Sequence, residues 1–250
     1  MRALILADIH ANLEALNAVM EDARVKGGFD AIWCMGDTVG YGPDPNRCLE
    51  IIQEYPLVAV AGNHDFAAVG KRTTDDFNYA AKASTEWTQG QLSSEAARFL
   101  ADLPLSAIAE PFTLVHGTLR DPLSEYLLDQ ETASATLEMM KTSFCLVGHS
   151  HMPFICAEID SEIVGDKKGP EFLEFTEDQA FSLAEGRCIF NPGGVGQPRD
   201  RDPRSSYAVY DSQERLIWRH RVAYEIGVTQ EKMREAGLPE YLIERLNHGR

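Results

Sequence analysis

The first quarter of the chain alternates short apolar runs with amphipathic segments. "RALILAD", "FDAIWCMGD" and "LVAVAGNHD" have the length and composition of buried strands. The segment between the first two places apolar residues from Leu13 to Met20 on one helical face and ends at Gly27. The next helical segment, "DPNRCLEIIQEY", has Pro45 near its start, where proline is favoured. This strand–helix order predicts an α/β fold with a parallel sheet.

The rest of the chain predicts more helix, a second group of strands and a helical tail. Residues 75–103 are helical in pattern; "FTLVHG", "SFCLVGHSH" and "PFICAEI" are strand-like, with a helix at about 131–141 between the first two. The acidic, glycine-broken segment 158–186 predicts a hairpin over the surface. "RCIFNPG", "SYAVYD" and "RLIWRHRVAY" complete the strands, and two short helices broken at "GLP" follow from about residue 228. Because the sequence has no repeats or long linkers, we predict that residues 1–250 form a single domain with two groups of strands.

The charge of the chain restricts its partners. The chain of 250 residues carries 39 acidic and 23 basic residues, a net charge of −16. A long nucleic acid or an anionic membrane requires a basic surface, so we expect neither as a partner. A small phosphorylated substrate remains compatible if bound cations reverse the local sign. No apolar run approaches the ~20 residues that a membrane-spanning helix needs.

The cysteines indicate a reducing compartment. There are five, an odd number without a C-x-x-C pair, at positions 34, 48, 145, 156 and 188. Cys34, Cys145 and Cys188 lie in strand-like apolar runs, where a free cysteine behaves as a small buried hydrophobe. Free thiols predict a cytoplasmic protein.

Polar side chains follow most of the predicted strands directly. They are Asp8, His10, Asp37, Asn63, His64, Asp65, His116, His149 and His151. In open α/β sheets, ligands collect outside the carboxyl ends of the strands, so these groups are expected to converge on one edge. Five of the seven histidines lie in these positions, a concentration that scattered structural histidines would not produce.

The chemical types in this set are those of a metal site. Imidazole, carboxylate and amide oxygen suit divalent Mn, Fe, Zn, Ni or Mg, and thiolates are absent from the set. Seven of these nine groups are candidate ligands, which is more than one ion needs: Asp8, His10, Asp37, Asn63, His116, His149 and His151. Two ions about 3.5–4 Å apart and bridged by one carboxylate would use them all. We therefore predict two divalent metal ions as cofactors, with manganese favoured.

Five short motifs resemble those of the calcineurin-like metallophosphoesterases. "ADIHAN", "MGDTVGYGP", "AGNHD", "LVHGT" and "VGHSHMP" occur in the order found in that superfamily, each after a predicted strand. "NPGGVGQPRDRDPRSSYAVYD" is similar to the closing block of its smaller bacterial branch, so the resemblance runs from residue 3 to about 211. It implies a β-sandwich flanked by helices on both faces, in α/β/β/α layers.

The resemblance also implies a role for each polar group. One ion would be bound by Asp8, His10 and His151, and the other by Asn63, His116 and His149, with Asp37 bridging both. Two adjacent dications generate a hydroxide that attacks the phosphate ester. His64, which is not needed as a ligand, would be the general acid that protonates the leaving oxygen, a contribution of typically ~10²–10⁴-fold. Asp65 would orient the His64 imidazole.

The residues by themselves leave simpler roles open. Asp8 and His10 alone could be a helix cap and a surface histidine, and Asp37 could open a turn. His64 could cap a helix that follows Gly62 and Asn63, or hold phosphate without donating a proton. Asp65 could be an ordinary carboxylate at a helix N-terminus.

Two arginines are candidates for binding substrate. Arg199 lies in "NPGGVGQPRD" and could contact phosphate with its two parallel N–H groups, although the segment could equally be a structural turn. Arg120 follows His116 closely enough to reach the site, but could equally be an exposed surface arginine.

These features predict a metal-dependent hydrolase of phosphate esters. A phosphomonoesterase is favoured, because related phosphodiesterases often have cysteine at the position of His64 and a histidine can protonate a poorer leaving group. The alternative is a phosphodiesterase or a nucleotide pyrophosphohydrolase acting on dinucleoside polyphosphates. A non-catalytic protein-binding scaffold is less favoured, because every ligand position is filled. The sequence carries no signal for oligomeric state.

Overall fold

Two mixed β-sheets, each with six strands among the described residues, pack face to face in the computed structural model, which describes residues 1–158, 169–183 and 186–250. The first sheet has the order β3-β2-β1-β11-β12-β9. Its strands are β1 (Arg2–Leu6), β2 (Ala31–Cys34), β3 (Leu57–Ala59), β9 (Ala180–Ser182), β11 (Ser205–Asp211) and β12 (Leu216–Val222). As predicted, β1, β2 and β3 are parallel.

The second sheet has the order β4-β5-β6-β10-β7-β8. Its strands are β4 (Ser106–Ala109), β5 (Phe112–Val115), β6 (Phe144–Leu146), β7 (Phe154–Ala157), β8 (Glu171–Leu173) and β10 (Cys188–Asn191). Because β5, β6 and β10 are parallel, their carboxyl ends meet at one edge, as those of β1 to β3 do in the first sheet.

Helices flank the two sheets. They are α1 (Leu13–Val25), α2 (Pro45–Gln53), α3 (Asn63–Ala68), α4 (Tyr79–Gln91), α5 (Ser94–Asp102), α6 (Gln130–Met139), α7 (Ile226–Glu235) and α8 (Glu240–Glu244), with a 3₁₀ turn at Arg245–His248. Along β1, Leu4 and Leu6 pack against the helices of the first sheet, whereas Ala3 and Ile5 face the second sheet. This alternation gives each strand two buried faces, and confirms the predicted sandwich of α/β/β/α layers.

The core between the sheets is rich in aromatic side chains. The Phe112 ring lies 5.5 Å from that of Trp33 and 4.9 Å from that of Tyr210, both in the first sheet. On its own sheet it lies 5.3 Å from the ring of Phe144 and 6.3 Å from that of Phe190. Phe112 is fully buried, so it ties the two sheets together.

The described part of the segment 158–186 differs from the predicted surface hairpin. β8 pairs with β7 at one edge of the second sheet, and β9 pairs with β12 at one edge of the first. The two strands therefore extend different sheets instead of pairing with each other. Residues 159–168 and 184–185 of this segment lie outside the described residues.

Two short elements differ from the prediction. β4 was missed because its pattern is weak, with exposed residues alternating with half-buried ones. α3 entered only through the alternative roles of His64 and Asp65, because "AGNHD" is favoured as the end of a strand, whereas the strand stops at Ala59 and the helix begins at Asn63. The tail has its two predicted helices on either side of "GLP". Among the described residues, no helix is both long and apolar enough to cross a bilayer.

Replacing Phe112 should test the inter-sheet core. We expect Phe112→Ala to lower the free energy of unfolding by about 3–5 kcal/mol, because it leaves a cavity between the sheets. The matched control is Ile108→Ala on the neighbouring strand β4, where the side chain is 56% exposed and the loss should stay below about 1 kcal/mol. Urea denaturation measures both. Equal losses for the two variants would contradict this account of the core.

Candidate metal centre

Loops at the carboxyl ends of the parallel strands bring the predicted polar groups together. All seven predicted metal ligands are buried: Asp8, His10, Asp37, Asn63, His116, His149 and His151. They come from five separate segments of the chain, the loops after β1, β2, β5 and β6 and the first residue of α3. Convergence on one edge therefore holds in the structure.

The first group of potential ligands consists of Asp8, His10 and His151, whose ligand atoms all lie within 4.8 Å of one another. The Nε2 atoms of His10 and His151 are 3.2 Å apart. The Nε2 atom of His151 is 3.5 Å from Asp8 Oδ1. These three side chains could hold one metal ion.

The second group consists of Asp37, His116 and His149, which meet the same 4.8 Å criterion. The Nε2 atom of His116 is 3.0 Å from Nδ1 of His149 and 3.0 Å from Oδ1 of Asn63. Asn63 thus lies where the resemblance implies a fourth ligand.

The Asp37 carboxylate lies between the two groups. Its Oδ2 atom is 3.4 Å from Nε2 of His116 and 3.7 Å from Nε2 of His10. Its Oδ1 atom accepts the backbone N–H of His64 at 2.8 Å, which fixes the carboxylate. This is the position that a bridging ligand would take.

The second nitrogen of each histidine ring contacts a backbone carbonyl. A carbonyl can only accept, so that nitrogen must carry the proton and the other nitrogen presents a lone pair to the centre. The pairs are His10 Nδ1 to Val39 O (3.1 Å), His116 Nδ1 to Met35 O (2.7 Å), His151 Nδ1 to Gln197 O (2.5 Å) and His149 Nε2 to Ser124 O (3.4 Å).

The backbone at the centre is strained. Five of the potential ligands have positive φ angles, a region that side chains rarely adopt: Asp8 (56°), His10 (48°), Asp37 (50°), His149 (64°) and His151 (58°). Such conformations persist where the surrounding structure over-determines them, and they cluster at functional sites. A Cβ atom on Gly62 would lie 2.0 Å from Asp37 Oδ1, so only glycine fits before Asn63.

Burial and mutual charge shift the acidities in the centre. Burial raises the pKa of Asp8 to about 7. Burial also lowers the pKa of His10 and His151 well below the usual value and that of His149 to about 3. Burial acts in the same direction on His116, but the Asp37 carboxylate outweighs it and raises the His116 pKa to about 9.

The donor set fits metal ions. Among the described residues, Asp8 Oδ2 is buried without a hydrogen-bond partner, which is costly unless something else binds it. Two pairs of ring nitrogens face each other at 3.2 Å and 3.0 Å, and all four direct lone pairs inward once His116 has lost its proton. A cation in each group would satisfy these acceptors, and neutral imidazoles are the form that binds metal.

His64 lines the pocket beside this centre. Its Nδ1 atom is buried and has no hydrogen-bond partner in residues 1–158, 169–183 and 186–250. The ring packs against Tyr41, with ring centroids 4.4 Å apart, and against Phe77 at 4.7 Å. Burial lowers the His64 pKa to about 4, so the free site holds a neutral imidazole at neutral pH.

The Asp65 carboxylate, which was predicted to orient the His64 imidazole, forms its hydrogen bonds with the backbone instead. Its Oδ1 accepts the backbone N–H of Val39 at 3.1 Å and its Oδ2 accepts that of Gly62 at 3.0 Å. Both oxygens are therefore occupied by the backbone, and Asp65 joins the loop after β2 to the N-terminus of α3. The alternative interpretation, a carboxylate at a helix N-terminus, agrees with these contacts.

The two candidate arginines have different surroundings. Arg199 lines the pocket, which has a volume of about 170 Å³, and its guanidinium donates to Gln197 Oε1 at 3.0 Å. Arg120 is exposed and pairs with Glu125 at 2.5 Å and Glu131 at 3.5 Å, and none of the three lines the pocket. The exposed alternative for Arg120 therefore agrees with the structure, and its prediction as a substrate-binding residue is not supported.

Other pocket residues were missed by the sequence analysis. Arg72 lines the pocket while it pairs with Asp76 through contacts of 2.7 and 3.1 Å. Tyr126, 43% exposed, stacks on His149 with ring centroids 3.9 Å apart. Both lie in loops whose sequence carries no motif, so only the tertiary structure reveals them.

Comparisons with known proteins agree with this geometry. The calcineurin-like phosphoesterase superfamily domain matches residues 1–215. The crystal structure of a metallophosphoesterase from Sphaerobacter thermophilus is 41% identical, with a TM-score of 0.87, and the match covers 100% of this chain and 99% of that one. An uncharacterised protein of Methanocaldococcus jannaschii is 35% identical over 251 residues, 98% of this chain and 97% of that protein.

A shorter similarity points to a protein of known activity. The symmetrical bis(5'-nucleosyl)-tetraphosphatase of Psychromonas ingrahamii is 36% identical over 67 residues, 26% of this chain and 24% of that protein. The family match extends over most of the chain, and the full-length similarities agree with it. The chain belongs to the calcineurin-like phosphoesterase superfamily and is a hydrolase acting on phosphoric ester bonds.

Proposed function

We propose that the protein is a dinuclear metal-dependent phosphomonoesterase in which His64 is the general acid. The observation that carries the proposal is the shared Asp37 carboxylate, 3.4 Å from one buried ligand group and 3.7 Å from the other. When bound, two divalent cations, with manganese favoured, supply a hydroxide at neutral pH and offset the charge that develops on the phosphoryl oxygens.

The two ligand groups divide the binding of these cations. Asp8, His10 and His151 would hold one, Asn63, His116 and His149 the other, and Asp37 both. The backbone carbonyls behind the rings keep each lone pair directed inward, so the ligands are preorganised.

Arg199 is proposed to bind the phosphoryl group of the substrate. Among the described residues no carboxylate forms an ion pair with it, although the chain is strongly acidic overall. An unpaired guanidinium in a pocket attracts an anion and can bind two oxygens at once. Arg199 therefore selects for a phosphorylated substrate in a protein whose net charge would otherwise repel one.

His64 must gain a proton before it can donate one to the leaving oxygen. Its pKa of about 4 leaves it neutral in the free site. An anionic phosphoryl group in the pocket would stabilise the imidazolium, as Asp37 stabilises that of His116. Proton donation by His64 is thus coupled to substrate binding.

Two observations bear on the ester class. The pocket of about 170 Å³ suits a phosphoryl group with a compact leaving group, which favours monoesters. The similarity of 67 residues to a symmetrical dinucleoside tetraphosphatase supports the alternative, hydrolysis of a dinucleoside polyphosphate. For that alternative, the exposed Tyr126 ring beside the pocket offers a surface on which a base could stack.

We also propose the cellular compartment of the enzyme and the class of its partner. All five cysteines are free and buried, which supports a reducing, cytoplasmic compartment. The net charge of −16 supports a small phosphorylated substrate over a long nucleic acid or a membrane surface.

A substrate panel with defined metals tests the proposal. We expect the wild type, supplied with Mn²⁺, to hydrolyse p-nitrophenyl phosphate faster than bis-p-nitrophenyl phosphate or diadenosine tetraphosphate. Faster cleavage of either of the last two would replace the monoesterase assignment by the corresponding alternative. Inactivity on all three with each of Mn²⁺, Ni²⁺, Zn²⁺ and Mg²⁺ would refute the proposal.

Removing the charge of Asp37 tests its shared position. Asp37→Asn should lower kcat/KM by at least about 100-fold and lower the bound metal, because an amide cannot serve both groups as a carboxylate does. Glu138→Gln removes a charge from an exposed position on α6 and should leave both unchanged. Wild-type activity in Asp37→Asn protein would rule out the mechanism.

Metal binding should release protons. With pKa values of about 7 and 9, Asp8 is about half protonated and His116 almost fully protonated in the metal-free protein at pH 7, and both must lose their protons to bind metal. We expect roughly one to two protons to be released at pH 7, and metal affinity to rise with pH up to about 9. Calorimetric titration with Mn²⁺ in buffers of different ionisation enthalpy measures the number. A binding enthalpy that is independent of the buffer would contradict the prediction.

A further inference from the structure

The orientation of the His64 ring depends on aromatic packing. Its Nδ1 atom has no hydrogen-bond partner in the described part of the chain, and the neighbouring carboxylate of Asp65 is occupied by backbone N–H groups. Three rings surround it instead: Tyr41 at 4.4 Å, Phe77 at 4.7 Å and His10, edge-on, at 5.1 Å. A histidine without a polar partner rotates unless packing prevents it, so these contacts determine where its nitrogens point.

Tyr41 contacts both His64 and His10, a potential metal ligand. Its ring lies 4.5 Å from that of His10 as well as 4.4 Å from that of His64. The residue is 7% exposed and has a φ of 60°, unfavourable for a side chain of this size. Such a backbone conformation is retained only where neighbouring groups hold it in place.

The C-terminal segment supplies those neighbours. Met233 of α7, Leu242 and Ile243 of α8, and Leu246 of the 3₁₀ turn are all buried and belong to one apolar cluster with Tyr41. A cavity of only about 10 Å³ lies between Met233, Leu246, Tyr41 and His10. It has room for one water molecule at most, so the segment packs directly behind the two rings.

Polar contacts hold the same segment to the two loops that carry these rings. Lys232 Nζ lies 2.5 Å from Glu14 Oε1 and 3.0 Å from Asp44 Oδ2, three residues after Tyr41. Thr229 Oγ1 donates to Asn12 Oδ1 at 3.0 Å, two residues after His10. The segment is thus tied both to the loop after β1 and to the loop after β2.

We propose that Tyr41 and the C-terminal segment 226–248 form a device that positions His64 for proton donation. The segment lies outside residues 1–215, the part of the chain that the superfamily domain matches. It contacts Tyr41, and Tyr41 contacts His64, so the segment acts on the acid without touching the substrate. The proposal rests on the proposed role of His64 as general acid.

The dependence of kcat/KM on the leaving group distinguishes a mispositioned general acid from a general loss of activity. Phenyl phosphate has a poor leaving group that needs a proton, whereas p-nitrophenyl phosphate has a good one that needs little help. The measured quantity is kcat/KM for the first divided by kcat/KM for the second, with bound Mn²⁺ determined for each variant. Loss of metal lowers both rates alike and leaves the ratio unchanged. If the wild type proves to cleave diesters, the corresponding pair of diesters replaces these substrates.

The variants are chosen in matched pairs. His64→Gln sets the reference and should lower the ratio by about 100-fold or more. Tyr41→Ala should lower it at least about tenfold and Met233→Ala about threefold, as fractions of the contribution of the acid. Tyr41→Phe keeps the ring and should retain the wild-type ratio. Val228→Ala, a change at a 44% exposed position on α7, should not alter the ratio either.

Each outcome has a distinct meaning. If His64→Gln lowers the ratio while Tyr41→Ala and Met233→Ala do not, the positioning proposal is overturned and the proposed function stands. If His64→Gln itself leaves the ratio unchanged, His64 is not the acid, and both the acid assignment and the positioning proposal are overturned. A lowered ratio in Met233→Ala with normal metal content supports the proposal even if Tyr41→Ala fails to fold.

Discussion

The interaction on which the site depends is that of the Asp37 carboxylate with two histidine groups. One oxygen lies within 3.4 Å of His116 and 3.7 Å of His10, and the other accepts the backbone N–H of His64. Burial raises the pKa of Asp37, but electrostatic interactions with His116, His64 and His10 outweigh that effect and hold it below its usual range. The carboxylate therefore stays ionised in a buried position. It links the loops after β1, β2 and β5, which carry His10, Asp37 and His116.

The fold makes this possible by ending its parallel strands at one edge and forcing the loops there into unusual conformations. Five of the potential ligands lie at positive φ, and Gly62 must be glycine because a side chain would collide with Asp37. This strain is sustained by a rigid double-sheet core in which Phe112 contacts aromatic rings of both sheets. The stability of the core therefore offsets the backbone strain at the edge.

The outer surroundings of the site come from segments distant in sequence. Arg199 approaches from the loop after β10, Arg72 from the loop after α3, and the C-terminal helices pack behind Tyr41. Under the two proposals, these surroundings, together with the metal ligands, set the ester class and the orientation of His64.

The sequence by itself identified seven potential ligands, because polar groups follow its apolar strand-like runs and strand ends converge, and its five motifs implied the sandwich fold through their resemblance to a known superfamily. It did not reveal that the Asp65 carboxylate binds backbone amides or that Arg120 pairs with Glu125. Only the tertiary structure decided these partners, along with Arg72 and the packing of Tyr41 against the C-terminal helices. The physical reason is that strand and ligand patterns are local in sequence, whereas the partner of a charged or aromatic side chain depends on which distant segment packs beside it.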